Sequence, residues 1–314
     1  MSNSVDHDLI IIGAGPAGLT AAIYATRAGV DALTLEQGAW GGQIAITDEV
    51  DNYPGLNNIP GSELGERLHA HAEELGARFD YDVVTKVSAN DDGTFTVVGD
   101  ESKRTCLSVI YAGGATPRTA GFVGEDTFKG RGVSYCATCD GMFYRGKHVF
   151  VIGGGNSACE EAVYLSRFAS SVTMVVRKDH VRAVQSLKSQ VEANEKITVM
   201  YNTSVAEVSG DSLPSAVTLK NNRTGELTTE ELGAGTFGVF VSVGYVPQTA
   251  PIDELVDKAP DGSVLTSEDM STSTRGLYVA GDTRSKPLRQ VITAASDGAI
   301  AANAAAMYLG ELVI

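Results

Sequence analysis

The sequence predicts an α/β protein made of two Rossmann-like dinucleotide-binding domains, the second inserted into the first. Three observations support this. A glycine-rich turn follows an apolar β-branched run near the N-terminus, and the same arrangement returns near residue 150. An apolar strand and a long alanine-rich helix then stand at the end of the chain, where the first unit still lacks its last strand. The length of 314 residues fits two domains of about 150 residues each.

The first unit opens with Leu9-Ile10-Ile11-Ile12, a continuous apolar run suited to a buried parallel strand. Gly13-Ala14-Gly15-Pro16-Ala17-Gly18 follows as G-x-G-x-x-G. Its first glycine makes the tight turn, the second lets backbone approach a pyrophosphate, and the third lets helix pack on strand. A helix is expected from Leu19 to Ala28, ended by Gly29, and then a strand from Ala32 to Leu35. Glu36 closes that strand 23 residues after Gly13, placed for a ribose hydroxyl.

The second unit repeats the pattern. His148 to Ile152 reads as a strand, followed by Gly153-Gly154-Gly155-Asn156-Ser157-Ala158, a G-x-G-x-x-A. A helix is expected over about Ala158 to Arg167, and the strand Val172 to Val176 ends at Arg177, 24 residues after Gly153. An acid at this position suits a free 2′-hydroxyl, whereas arginine suits a 2′-phosphate. Arg177 and Lys178, with Arg182 close by, therefore read as an NADP site, and the first unit as an FAD or NAD site. The alternative is that Arg177 and Lys178 are a solvated strand end.

Near the end of the chain, Gly276 to Asp282 is an apolar strand ending in Gly-Asp, and Gln290 to Leu309 is an alanine-rich helix that needs a sheet to pack on. The expected layout is a first domain of residues 1–114 and 246–314 with residues 115–245 inserted. The crossings fall at Gly113-Gly114-Ala115-Thr116-Pro117 and Gly244-Tyr245-Val246-Pro247.

Composition excludes several classes. With 43% hydrophobic and 20% charged residues the chain is an ordinary globular one. A net charge of −15 argues against nucleic acid as the main ligand. There is no run of 18 apolar residues to cross a membrane, and the acidic Met1 to Asp8 does not resemble a signal peptide, so a cytoplasmic protein is expected.

Four cysteines remain, too few for a secreted disulfide scaffold. Cys136-Ala137-Thr138-Cys139 has C-x-x-C spacing just ahead of the second Rossmann strand, so the two thiols can close a small disulfide. Asp140 beside them could carry the proton that thiol–disulfide exchange needs. A zinc site is the rival reading, but structural zinc wants four ligands; Cys106 and Cys159 are unpaired and only His148 lies near. Cys106 and Cys159 read as core thiols.

FAD site, NADP site and dithiol together form an electron path, and over essentially its full length the chain resembles the low-molecular-weight, bacterial-type thioredoxin reductases. The motifs that carry the resemblance are the two glycine turns, Gly41-Gly42-Gln43, Asn52-Tyr53-Pro54-Gly55, Cys136-Ala137-Thr138-Cys139-Asp140-Gly141 and Gly281-Asp282. The resemblance implies an NADPH-dependent thioredoxin-disulfide reductase, a homodimer that reduces thioredoxin or a thioredoxin-like protein. It implies that Gly13, Ala14, Gly15, Pro16, Ala17, Gly41, Gly42, Gln43, Asn52 and Val84 surround FAD. It puts Gly281 and Asp282 on the ribityl or pyrophosphate side and Arg289-Gln290-Val291 near the isoalloxazine. Gly153, Gly154, Gly155, Asn156, Ser157 and Glu160 would line the NADPH site with Arg177, Lys178 and Arg182. Cys139 would face the flavin, Cys136 would attack the substrate disulfide, and Asp140 would serve as the acid. The resemblance also implies that the inserted domain rotates, and that Arg131, Met142 and Phe143 lie on the docking face.

The chain departs from the family pattern at four places. Val176-Arg177-Lys178-Asp179-His180-Val181-Arg182 replaces H-R-R-x-x-x-R, and Ala112-Gly113-Gly114-Ala115 replaces an A-T-G turn. Met142-Phe143 stands for an aromatic pair, and Tyr135 precedes Cys136 where a small residue is usual. Two other functions compete. One is a related flavoprotein with a different donor or acceptor: ferredoxin-linked, serving a peroxiredoxin system, or a dithiol oxidase. The other is a non-enzymatic flavin-binding redox sensor. The intact second turn with Arg177 counts against a ferredoxin-linked enzyme or an oxidase, and the complete C-x-x-C with Asp140 against a sensor.

Overall fold

The structure is a computed structural model that describes residues 5–47, 49–56 and 58–313. The chain forms two compact units, one of residues 1–116 with 246–314 and one of residues 117–245. The first crossing thus falls two residues after the expected boundary.

In chain order, the first unit begins with β1 (His7–Ile12), α1 (Pro16–Arg27), β2 (Ala32–Glu36), α2 (Gly61–Glu74) and β3 (Arg78–Tyr81). A meander of β4 (Val84–Ala89), β5 (Phe95–Gly99) and β6 (Lys103–Tyr111) completes this part. The crossing strand β7 (Ala115–Pro117) leads into β8 (Val133–Ser134), a short helix α3 (Ala137–Asp140), β9 (His148–Ile152), α4 (Asn156–Ser166) and β10 (Ser171–Val176). Then come α5 (Gln185–Glu192), β11 (Ile197–Tyr201), β12 (Thr203–Gly210), β13 (Pro214–Asn221), β14 (Leu227–Glu231) and β15 (Phe237–Val241). The return strand β16 (Tyr245–Pro247) pairs with β7, and the chain ends with β17 (Leu277–Val279) and α6 (Val291–Val313).

The two units repeat one plan. In the first, the sheet order is β3-β2-β1-β6-β5-β4. The long β6 pairs antiparallel with β5 through its first half and parallel with β17 through its second. The final strand missing from the N-terminal segment is therefore supplied from residue 277 onward. In the second unit, β11-β10-β9-β15-β8 is a parallel sheet and β12-β13-β14 an antiparallel one.

Strands β1, β2 and β9 are apolar because helices and meanders cover both faces of these sheets. Leu9, Ile10 and Ile11 have no exposed surface, and neither do Val149, Phe150 and Val151. In the first unit α1 and α6 share one face through alanines, among them Ala21, Ala25, Ala301 and Ala305. A Cβ on Gly298 of α6 would collide with the Ala17 carbonyl, so only glycine permits this approach.

Both nucleotide-site helices begin earlier than the apolar pattern indicates, at Pro16 rather than Leu19 and at Asn156 rather than Ala158. The residues after the second glycine already have helical geometry, and Pro16 at the first turn loses no hydrogen bond, because that N–H has no helical acceptor. Periodicity of buried positions does not detect a first turn that is meant to be open.

Candidate active site

The first glycine turn is held by backbone crowding. Gly13 has φ +99°, and a Cβ there would lie 2.5 Å from the Ala112 carbonyl oxygen. A Cβ on Gly18 would collide with the Gly13 carbonyl, so the helix lies directly on the turn. No side chain caps α1 at Gly15, which leaves its first N–H groups open to an anion. The Gly41 N–H donates to Ala14 O at 2.9 Å, bringing the Gly41-Gly42-Gln43 segment alongside.

Glu36 is buried at the end of β2. Its Oε2 accepts from the Ala14 N–H at 2.5 Å, and its Oε1 accepts from Gln37 and Gly38 N–H at 2.9 and 2.8 Å. The acid expected to face a ribose therefore also ties the strand end to the turn.

A cleft of about 290 Å³ opens over this turn. Among the expected residues it is lined by Gly13, Gly15, Pro16, Ala17, Glu36, Gly42, Gln43, Val84, Gly281 and Asp282. Ala14, Gly41, Asn52, Arg289, Gln290 and Val291 do not line it. Asn52 and Gln290 nevertheless meet across 238 residues, with Asn52 Nδ2 donating to Gln290 Oε1 at 3.0 Å. Gln37, Asp82, Tyr111 and Gln248 line the cleft as well, although no sequence motif marks them. Asp82 and Tyr111 sit at strand ends, where a position in the sheet, not a motif, puts them on the cleft.

The floor at Asp282 is charged and enclosed. Lys286 Nζ lies 3.3 Å from Asp282 Oδ1 and 3.0 Å from Asp297 Oδ2. Asp297 also takes Arg284 Nη1 at 3.0 Å and the Gly281 N–H at 3.1 Å. Burial pushes the Asp282 carboxyl above its ordinary range, against the pull of Lys286. Asp282 Oδ1 is buried, with the Lys286 ammonium beside it. A carboxylate oxygen accepts more than one hydrogen bond, so a ligand hydroxyl or N–H could be taken up here as well. The uncapped helix and the crowded glycine turn fit a dinucleotide such as FAD.

The second turn has the same construction. Gly153 has φ +149°, and a Cβ there would collide with the Ser242 carbonyl. No side chain caps α4 at Gly155. The loop after β10 closes over the turn: Arg182 N–H donates to Gly154 O at 2.6 Å, and Val184 N–H to Asn156 Oδ1 at 2.9 Å. Arg177, Lys178 and Arg182 are exposed, as are Ser157 and Glu160. Among the described residues, no carboxylate forms an ion pair with any of the three cations.

Cys136 and Cys139 are joined in a disulfide, half-buried at the entry to α3. The Cys139 N–H donates to Cys136 Sγ at 3.2 Å. Ser134 Oγ donates to Asp140 Oδ2 at 2.5 Å, and the Cys136 N–H to Ser134 Oγ at 3.1 Å. Cys106 and Cys159 are buried and free; burial pushes the Cys106 thiol up to about 12 and raises Cys159 as well. Neither supplies a thiolate near neutral pH. Met142, Phe143 and Arg131 are exposed.

Two Rossmann-like units, one of them carrying a disulfide beside a carboxylate, define a dinucleotide-dependent disulfide oxidoreductase. The comparisons with known proteins agree. The pyridine nucleotide-disulphide oxidoreductase family matches residues 7–298. The chain is 45% identical to a thioredoxin reductase of Treponema pallidum, over 98% of each chain. It is 43% identical to that of Bacillus subtilis, over 99% of this chain and 98% of the other. The crystal structure of thioredoxin reductase from Streptococcus pyogenes superposes with a TM-score of 0.90 at 40% identity, covering 97% of this chain and 98% of that one. The chain belongs to the pyridine nucleotide-disulphide oxidoreductase family, among its low-molecular-weight thioredoxin reductases.

Proposed function

We propose that this enzyme passes electrons from NADPH through FAD and the Cys136–Cys139 pair to the disulfide of thioredoxin or a thioredoxin-like protein. The observation that carries the reading is the closed Cys136–Cys139 disulfide with Asp140 beside it, on the unit that also holds the second glycine turn. Bound FAD supplies the two-electron relay between nicotinamide and disulfide. Every other role falls to side chains and backbone of the chain.

The first unit would hold FAD through the Gly13 turn, the open end of α1, Glu36 and Asp282, while Asn52 and Gln290 fix each other by their own hydrogen bond. The second unit holds NADPH. Its open α4 terminus takes the pyrophosphate, and Arg177, Lys178 and Arg182 take the 2′-phosphate. Their exposure, with no carboxylate partner among the described residues, supports this, since a solvated structural strand end gains little from three clustered cations.

In the reduced dithiol, Cys136 attacks one sulfur of the partner's disulfide and releases a partner thiolate. Cys139 then attacks Cys136 Sγ, re-forming the enzyme disulfide and freeing the second partner thiolate. Two electrons leave the enzyme and two protons are taken up by the partner. The Cys139 N–H aimed at Cys136 Sγ favours the thiolate there. Asp140, held through one oxygen by Ser134, delivers a proton. The resemblance also carries cytoplasmic location and homodimeric assembly into the proposal. Among the described residues no helix is long and apolar enough to cross a membrane.

Anaerobic titration tests the electron path. The FAD-loaded enzyme should take up about two equivalents of NADPH, one for the flavin and one for the disulfide. The Cys136→Ser variant should take up about one. Equal uptake by both proteins would remove the dithiol from the path.

A further inference from the structure

Tyr135 immediately precedes Cys136, and the structure gives it a task at each end. Its hydroxyl donates to Glu125 Oε1 at 2.7 Å. Its carbonyl oxygen accepts from the Tyr245 hydroxyl at 2.9 Å, across 110 residues. Tyr245 is the last residue of the inserted unit, at the start of the crossing strand β16.

Both anchors are firm. Glu125 is buried, 3% exposed, and its carboxylate also accepts from the Ala120 and Gly121 N–H groups at 2.8 and 2.6 Å. That carboxylate is the acceptor that Tyr135 reaches, and Lys129 Nζ lies 5.5 Å from the centre of the Tyr135 ring. Burial and Glu125 together raise the Tyr135 phenol, so it keeps its proton and donates. On the other side, Tyr245 is held at its own backbone: Arg118 Nε donates to Tyr245 O at 3.3 Å, and the Arg118 N–H to Gly244 O at 2.9 Å.

The Tyr135 carbonyl belongs to the peptide that joins Tyr135 to Cys136. A donor fixed on that oxygen, and a side chain fixed on a buried carboxylate, leave the peptide plane little freedom. The plane sets the direction of the Cys136 Cα–Cβ bond and the aim of its Sγ. Thiol–disulfide exchange needs the attacking sulfur in line with the bond it breaks, so aim matters as well as thiolate fraction.

We propose that Tyr245 and Tyr135 are positioning residues for Cys136, forming a two-sided clamp through which the second crossing strand is tied to the redox motif. The clamp rests on the reading of Cys136 as the attacking thiol.

The test uses the FAD-loaded enzyme and Tyr245→Phe, which removes one hydroxyl and leaves the ring. Tyr135→Phe is the second variant, since it removes the other anchor. Three readouts are taken: the rate at which iodoacetamide alkylates Cys136 in the NADPH-reduced enzyme, kcat for thioredoxin, and the rate of flavin bleaching by NADPH. The Tyr245→Phe variant should change the alkylation rate and lower kcat, each by about 3–10-fold, the effect of one lost hydrogen bond. Flavin bleaching, FAD content and the KM for NADPH should stay at wild-type values. The double variant should be no worse than the more severe single, because both anchors act on one peptide. Unchanged alkylation and kcat in Tyr245→Phe overturn the clamp, as does a loss of FAD or of bleaching that accounts for the whole effect. A wild-type enzyme that leaves thioredoxin oxidised fails the functional reading instead, and the alkylation rates still decide on the clamp.

Discussion

Cys136 and Cys139 stand only three residues apart, yet their replacement should have different consequences. Cys136→Ser should abolish disulfide reduction and leave FAD bound and reducible by NADPH. Cys139→Ser should do the same and in addition shift the visible flavin spectrum, because Cys139 is the thiol assigned to the flavin. A spectral shift in Cys136→Ser alone would reverse the two roles. At the proposed coenzyme site, Arg177→Ala should remove a charge-assisted contact of about 1.5–3 kcal/mol to the 2′-phosphate. The KM for NADPH should rise roughly 10–100-fold while that for NADH hardly moves. Equal loss for both coenzymes would make Arg177 structural. Cys136, Cys139 and Arg177 stand out in the sequence because each belongs to a short motif, while the separate roles proposed for the two thiols come from the family resemblance. Glu125, Tyr245 and Asp297 do not stand out. Each acts through a partner brought near by the fold, such as Tyr135 for Tyr245, and distant pairs leave no local pattern.

The glycine turns were legible for a related reason: the backbone itself dictates the residue. Gly18 is an example, since its missing Cβ is what lets α1 lie on the Gly13 carbonyl. Gly18→Ala should cost about 1–3 kcal/mol through overpacking and should release FAD on gel filtration. Retention of FAD with an unchanged melting temperature would contradict the tight turn. The helix starts were less legible, because an open first turn at Pro16 or Asn156 carries no buried stripe. Nor could the sequence reveal how α4 meets β15. Ser242, just past β15, donates to Glu161 Oε2, and burial pushes the Glu161 carboxyl up to about 7. The ordinary value is 4.5, so below that pH the group is protonated in the folded and unfolded chain alike and changes nothing. Between 4.5 and about 7 the unfolded chain gives up the proton and the folded chain keeps it, so stability falls as pH rises, by about 3 kcal/mol in all. Glu161→Gln should remove this slope. Its melting temperature relative to wild type should be higher at pH 8 than at pH 5, measured on the FAD-loaded enzyme without nicotinamide. An equal difference at both pH values would show that Glu161 ionises freely in the fold.

Over the whole molecule, a net charge of −15 repels an acidic partner at long range, so attraction has to be local. Met142 and Phe143 are about half exposed beside the disulfide. Arg131 is exposed, its guanidinium resting on Thr127 O at 2.6 Å. Lys147 is less available, since it lies against the Tyr144 ring. Arg131→Ala should therefore slow reduction of an acidic thioredoxin and weaken the salt dependence of that rate, leaving a small uncharged disulfide unaffected. Unchanged kinetics would place the docking face elsewhere. The plan of one Rossmann unit inserted in another could be read from the repeated motif and the unsatisfied last strand. The three-stranded meanders could not, because short strands with mixed polarity give no sustained period.

Thiol formation under a single electron donor identifies both donor and acceptor. The purified yellow enzyme is mixed with thioredoxin from its own source under anaerobic conditions. Thiol formation is followed with NADPH, NADH or reduced ferredoxin as the only donor. About one thioredoxin dithiol should form per NADPH consumed, with slower turnover on NADH and none with ferredoxin. Rapid thioredoxin reduction by ferredoxin, with a flavin that NADPH fails to bleach, would contradict the NADPH-dependent reading.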